Sequence, residues 1–333
     1  MTVTHLLLDA IQALWRFLGN LLLALALGML TIVSLAAGFG LVLPRVWETY
    51  GLDYEAEGGN WTWIEGQPIY MRVWEAPPDS PAVVLVHGYQ IAASEIWQEN
   101  GESLARWGVR PIAVDLKGWG RSVRDATPTY SIRRQAELLA KVMNQHYIQD
   151  AILVGHGWGG AVALQVALDQ PQFVGRLVLI APQVYEAPTF PWQPAARIPL
   201  LSRTLSWAMS SGGPSWRRLE ERAFFDPFKA PSGYWKRAQR LSHIVGTLDS
   251  LHAMAISPPD SDIPQLLGDI RVPVLILWGE GDALVSRESV ERLARDLPDA
   301  RLVVIPKAGH YVQMEQAARL NRAIARFALE GER

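Results

Sequence analysis

Ala151-Ile152-Leu153-Val154-Gly155-His156-Gly157-Trp158-Gly159-Gly160 is a short apolar run that passes directly into a turn carrying four glycines. Residues 159–168 then have the small and apolar composition of a buried helix. A strand of uninterrupted Ile, Leu and Val, rather than an alternating one, belongs in a parallel sheet covered on both faces. Strand, glycine turn and helix in immediate succession make one half of a βαβ unit.

The same grammar recurs on either side. Residues 61–64 and 69–75 read as a hairpin after a turn near Gly58-Gly59-Asn60, and further strands are expected at 82–86, 111–115, 176–180, 272–278 and 301–305. Helical spacing fills the intervals 93–107, 132–147, 287–297 and 313–329. This alternation predicts a doubly wound α/β domain. One interval breaks the rhythm. Between about Pro182 and Pro264 no strand is expected, while Trp192, Trp207, Trp216, Phe224, Phe225, Phe228 and Trp235 accumulate. A long insertion at the carboxyl edge of such a sheet is read as a helical cap. The expected organisation is a lead-in and anchor at 1–50, a core made of 51–182 and 265–333, and a cap at 183–264.

The 333 residues suffice for this, with a hydrophobic share of 49% and charged residues at 19%. A formal net charge of −2 offers no basic field for nucleic acid. The chain has no cysteine, which excludes disulfides, a thiolate nucleophile and cysteine-based metal sites.

From Phe17 to Pro44 no residue is charged, with Arg16 and Arg45 bracketing the run. That exceeds the roughly 20 apolar residues a helix needs to cross a bilayer, so a retained single-pass anchor is expected. A cleaved signal peptide is the rival, because Ser34-Leu35-Ala36 resembles a small-residue cleavage site. Leu7, Ile11, Leu14, Trp15 and Leu18 recur at helical spacing upstream and read as an interfacial lead-in. Ala24 with Gly28, and Ala36 with Gly40, form small-xxx-small pairs on which another membrane helix could pack. Glu48, Asp53, Glu55 and Glu57 follow the run, mildly favouring an inside amino terminus and an extracytoplasmic domain.

Three segments carry the chemistry. Val83-Val84-Leu85-Val86-His87-Gly88-Tyr89 is a strand ending in a His-Gly turn. The glycine turn around Gly157 is the second. The third pairs Trp278-Gly279-Glu280-Gly281-Asp282 with Ile305-Pro306-Lys307-Ala308-Gly309-His310, an acid and a histidine beyond two late strands. Together with Asp115-Leu116-Lys117-Gly118-Trp119-Gly120-Arg121-Ser122, they resemble the α/β-hydrolase superfamily, in its capped branch of esterases, carbon–carbon hydrolases, epoxide hydrolases and haloalkane dehalogenases. The resemblance covers roughly residues 60–330. It implies an α/β-hydrolase fold with a mostly parallel eight-stranded sheet. It also implies that Asp282 orients His310 as general base, and that the amides of Tyr89 and Trp158 form an oxyanion hole.

The departure is at the elbow. The family pattern is Gly-x-nucleophile-x-Gly with Ser or Asp in the middle, and here Gly157 occupies that position. Glycine has no side chain with which to form a covalent intermediate, and it tolerates the strained backbone of the turn. Gly155-x-Gly157-x-x-Gly160 also satisfies a dinucleotide fingerprint, but Trp158 in the turn and Leu179-Ile180-Ala181-Pro182-Gln183 in place of an acidic strand end oppose it. No cofactor and no metal are expected.

His87, His156, Tyr185 and Trp192 are the candidate pocket residues. Each has an ordinary alternative: His87 as a loop support, His156 as packing, the aromatics as lid core. Ser94 is a conceivable substitute nucleophile whose commoner role would be helix capping. Three readings stay open. The first is a non-catalytic binding or structural subunit of a membrane assembly, a pseudoenzyme with the bilayer, a membrane-protein partner or a small apolar ligand as its contacts. The second is a hydrolase of a small apolar ester in which His310 and Asp282 activate water. The third is an ordinary Ser or Asp hydrolase carrying an inactivating glycine.

Overall fold

The computed structural model describes residues 3–51, 60–77, 79–90, 92–125, 127, 129–185, 198–209, 216–257 and 262–330. Eight strands form one sheet: β1 (Asn60–Ile64), β2 (Gln67–Val73), β3 (Ala82–Val86), β4 (Arg110–Val114), β5 (Ala151–His156), β6 (Val174–Ile180), β7 (Val274–Gly279) and β8 (Ala300–Ile305). Their order is β1-β2-β4-β3-β5-β6-β7-β8, with β1 and β2 antiparallel at one edge and β4 through β8 parallel. This is the α/β-hydrolase fold that the sequence led us to expect. β3, β5 and β7 are buried at every position, which is why their sequences run apolar without alternation.

The chain begins with α1 (Val3–Trp47), a single helix of 45 residues. The expected lead-in and the apolar run are thus one continuous element. Its segment Ile11–Trp47 holds a stretch of 18 residues with a mean hydropathy of 2.3 and is long and apolar enough to cross a membrane. Around the sheet lie α2 (Gln98–Arg106), α3 (Ile132–Gln145), α4 (Trp158–Asp169), α10 (Arg287–Asp296), α11 (Val312–Glu315) and α12 (Ala317–Ala328). Between β6 and β7 come α5 (Pro199–Met209), α6 (Trp216–Glu221), α7 (Tyr234–Ser242), α8 (Thr247–Ile256) and the one-turn α9 (Ile263–Leu266), with no strand among the described residues.

Two expected helices are broken. Residues 93–97 are a 3₁₀ turn before α2, opened by Ala93 at φ 47° and tied down where Ser94 N–H donates to Asp115 Oδ1 at 2.8 Å. Gln316, at φ −129°, separates α11 from α12.

The insertion is bolted to the core through a buried carboxylate. Glu95, 1% exposed, pairs with Arg72 of β2 at 3.1 Å, with Arg121 beyond β4 at 3.0 Å and with Arg237 of α7 at 2.9 Å. Burial of a charge is tolerable when it is surrounded by opposite charge in this way.

The carboxyl end of α1 is part of the same packing. Gly40 and Leu43 are buried, and the Thr204 hydroxyl of α5 donates to the Ala36 carbonyl at 2.7 Å. Trp207 meets Phe39 and Trp47 edge-on, and Trp47 stacks on His243 with centroids 4.1 Å apart. Glu48 accepts from the amides of Gly246 at 3.1 Å and Leu248 at 2.7 Å, satisfying donors that the first turn of α8 leaves open. The Ala36/Gly40 pair therefore faces a helix of this chain itself. Gly28 and its surroundings lie exposed.

Candidate active site

The turn at the end of β5 explains its glycines. Gly157 stands at φ 54°, ψ −121°, a conformation that strains any residue with a β-carbon. A β-carbon on Gly159 would lie 2.2 Å from the His87 carbonyl oxygen, so this position admits no side chain at all. The elbow is fixed by backbone bonds: Gly157 N–H donates to Ile180 O at 2.9 Å, and Gly157 O accepts from Gly160 and Gln183 at 3.0 Å each. Trp158 opens α4, where a first-turn amide has no partner within its own helix. Tyr89 follows Gly88, whose α-carbon is 3.7 Å from the place of a β-carbon at 157. The amides proposed for an oxyanion hole thus belong to two backbone turns that abut at the elbow. The Tyr89 ring packs edge-on to Trp119 and Trp158, and burial raises the pKa of its hydroxyl.

The acid and the histidine meet across two loops. His310 Nδ1 donates to Asp282 Oδ2 at 3.0 Å, while Asp282 Oδ1 accepts the amides of Leu284 at 2.8 Å and Val285 at 3.0 Å. Both side chains are buried. With Nδ1 committed as donor, His310 Nε2 is left as the acceptor, and it faces the elbow. It would be 3.1 Å from a β-carbon at 157.

Other groups that position His310 have no local signature. Its amide donates to Ala223 O of the insertion at 2.7 Å. Glu315 accepts from Gly309 N–H at 2.7 Å and from Phe225 and Asp226 N–H at 3.1 and 2.8 Å, joining the histidine loop to the insertion. Glu220 takes the hydroxyls of Tyr311 at 2.8 Å and Tyr234 at 3.2 Å. His156 is wholly buried; its Nε2 donates to the His310 carbonyl at 3.1 Å, and burial drives its pKa well below the ordinary value. It is therefore a neutral support behind His310.

His87 has both ring nitrogens engaged by backbone, Nδ1 donating to Gly88 O at 2.7 Å and Nε2 accepting from Leu116 N–H at 3.0 Å. Burial lowers its pKa as well. The Tyr185 hydroxyl donates to Asp296 of α10 at 2.6 Å beneath the Arg292 guanidinium, which commits its polar end to the surface rather than to the elbow. Trp192 lies outside the described residues. Ser94 does not act as a helix cap: its hydroxyl is buried without a hydrogen-bond partner among the described residues, because its amide, not its side chain, meets Asp115.

Residues 83–323 match the model of the alpha/beta hydrolase family. The chain belongs to that family. Among curated relatives of this alpha/beta hydrolase is the 2-hydroxy-6-oxononadienedioate/2-hydroxy-6-oxononatrienedioate hydrolase of Burkholderia vietnamiensis. It is 30% identical over 271 residues, which is 79% of this chain and 92% of the relative. A 2-hydroxy-6-oxo-6-phenylhexa-2,4-dienoate hydrolase of Burkholderia cepacia is 29% identical over 75% of the chain and 88% of the relative. Solved structures share the fold. The esterase of Exiguobacterium antarcticum superposes with TM-score 0.68 at 21% identity, covering 81% of this chain and 99% of that one. A mutant of the meta-cleavage product hydrolase of Pseudomonas fluorescens gives 0.67 at 22% identity, over 81% and 97%.

Proposed function

We propose that this alpha/beta hydrolase is held to a membrane by α1 and acts as a binding or structural subunit, taking a small apolar ligand or a membrane partner without covalent hydrolysis. The observation that carries this reading is the pairing of Gly157 with an otherwise assembled elbow. A strained turn, two abutting amide-bearing loops and a buried Asp–His pair surround a position with no nucleophilic atom. Removing the nucleophile from such a site ordinarily removes most of its rate advantage.

The test is direct. The full chain in detergent is treated with a fluorophosphonate probe and assayed against short and medium nitrophenyl esters. No labelling at the elbow and no turnover above buffer are expected. Labelling of a serine would overturn the reading.

A second reading is favoured by the intact pair and by relatives that are hydrolases. Here His310 Nε2 removes a proton from water as the water oxygen bonds to a carbonyl carbon, and the carbonyl oxygen takes the electron pair among the amides of Tyr89 and Trp158. Ester turnover that His310→Ala abolishes, without labelling by the probe, is the result that selects it.

A further inference from the structure

α1 is about 67 Å long, roughly twice the thickness of a bilayer's hydrocarbon core. Two independent measures divide it at the same place. Counted from Arg16, about 20 residues of uncharged helix, the span of the hydrocarbon, end at Ala36. Side-chain burial changes there too. Residues 11–32 are all exposed, whereas Val33, Ala36, Ala37, Gly40, Leu43, Pro44 and Trp47 form one covered face at helical spacing. The group that meets α1 at Ala36 is Thr204 of α5.

The segment that supplies α5 has an unusual composition. Between 187 and 216 there are two charged residues, Arg197 and Arg203, beside Trp192, Trp207 and Trp216. Arg203 is neutralised within the insertion by Asp249 of α8 at 2.6 Å. Ile198, which leads into α5, is 48% exposed. A charge-poor segment with an exposed aliphatic side chain at Ile198, set beside the point where the span of α1 ends, suits a surface lying in the headgroup layer.

We infer that the insertion, led by α5, docks on the lipid bilayer itself and holds the carboxyl edge of the sheet against the membrane. Trp47, Glu48 and Thr204 make α1 continuous with the insertion, so the domain is fixed at a short distance rather than hung on a free tether. The inference rests on the reading that α1 spans a bilayer, and the test separates the two.

The chain has no cysteine, so single-cysteine probes are specific. Leu25→Cys, Ile198→Cys and Tyr147→Cys are each labelled with bimane and reconstituted into phosphatidylcholine vesicles containing doxyl lipids. All three native side chains are exposed, at 61%, 48% and 92%. Tyr147 precedes β5, at the sheet edge opposite the insertion. Deep doxyl groups should quench position 25, and shallow ones should quench position 198 at least twofold more than 147. Quenching at 25 with equal, weak quenching at 198 and 147 would overturn the docking and leave the anchor standing. No quenching at 25 would remove both.

Discussion

A β-carbon placed on Gly157 would stand 3.1 Å from Nε2 of His310. That spacing is slightly inside normal contact, so a side chain at 157 would meet the imidazole directly. The ring is nevertheless aligned by Asp282 as though a partner stood there.

Gly157→Ser is therefore expected to fold, at reduced stability. The serine must adopt φ 54° and displace the imidazole by a few tenths of an ångström. Strain of this kind amounts to about 1–3 kcal/mol. Thermal unfolding of the variant against the parent measures it.

Gly159→Ala should be far worse. Its β-carbon would sit 2.2 Å from the carbonyl oxygen of His87, and backbone on both sides prevents relief. Loss of soluble protein, or a drop of about 4 kcal/mol or more, is expected from the exceptional class of single substitutions. A variant as stable as the parent would mean that β3 and the elbow do not abut as described.

Glu48→Ala removes the acceptor for two amides at the start of α8 and one link between α1 and the insertion. The expected loss is about 1–2 kcal/mol. Hydrogen exchange should rise in α8 and α5 while β5 remains protected, a pattern that general destabilisation would not give.

Acid should destabilise the fold through its buried histidines. His87 and His156 have pKa values lowered by burial, so the unfolded chain binds protons that the folded chain refuses. Their contribution is complete above the ordinary histidine value of about 6.5 and is lost as pH falls below it. Each group adds a slope of up to about 1.4 kcal/mol per pH unit over that window. Chemical denaturation at pH 7.5 and 5.5 measures the sum, and equal stability at the two values would contradict neutral buried histidines.

The frame of the protein was legible because its signals are local. The Val and Leu runs of β3 and β5 are apolar at every position, and the glycines of the elbow are required by contacts within a few residues or by one neighbouring strand. Asp282 and His310 were legible for the same reason, each sitting just past a strand end that the topology brings together. Glu315, Glu220, Glu95 and Glu48 were not. Each is a carboxylate with partners tens or hundreds of positions away, and a lone glutamate in a helix or turn looks like any solvated one. The use made of Ala36 and Gly40 was half-legible: small residues announce close approach, without saying that the approaching helix is α5.

The most direct measurement compares the parent chain with Gly157→Ser, and the latter with Gly157→Ser/His310→Ala, against nitrophenyl esters. An inert parent is expected, with measurable turnover and fluorophosphonate labelling in the serine variant, and loss of turnover when His310 is removed. Turnover by the parent that survives as a His310-dependent activity would contradict it and make this an enzyme that works without a nucleophilic side chain.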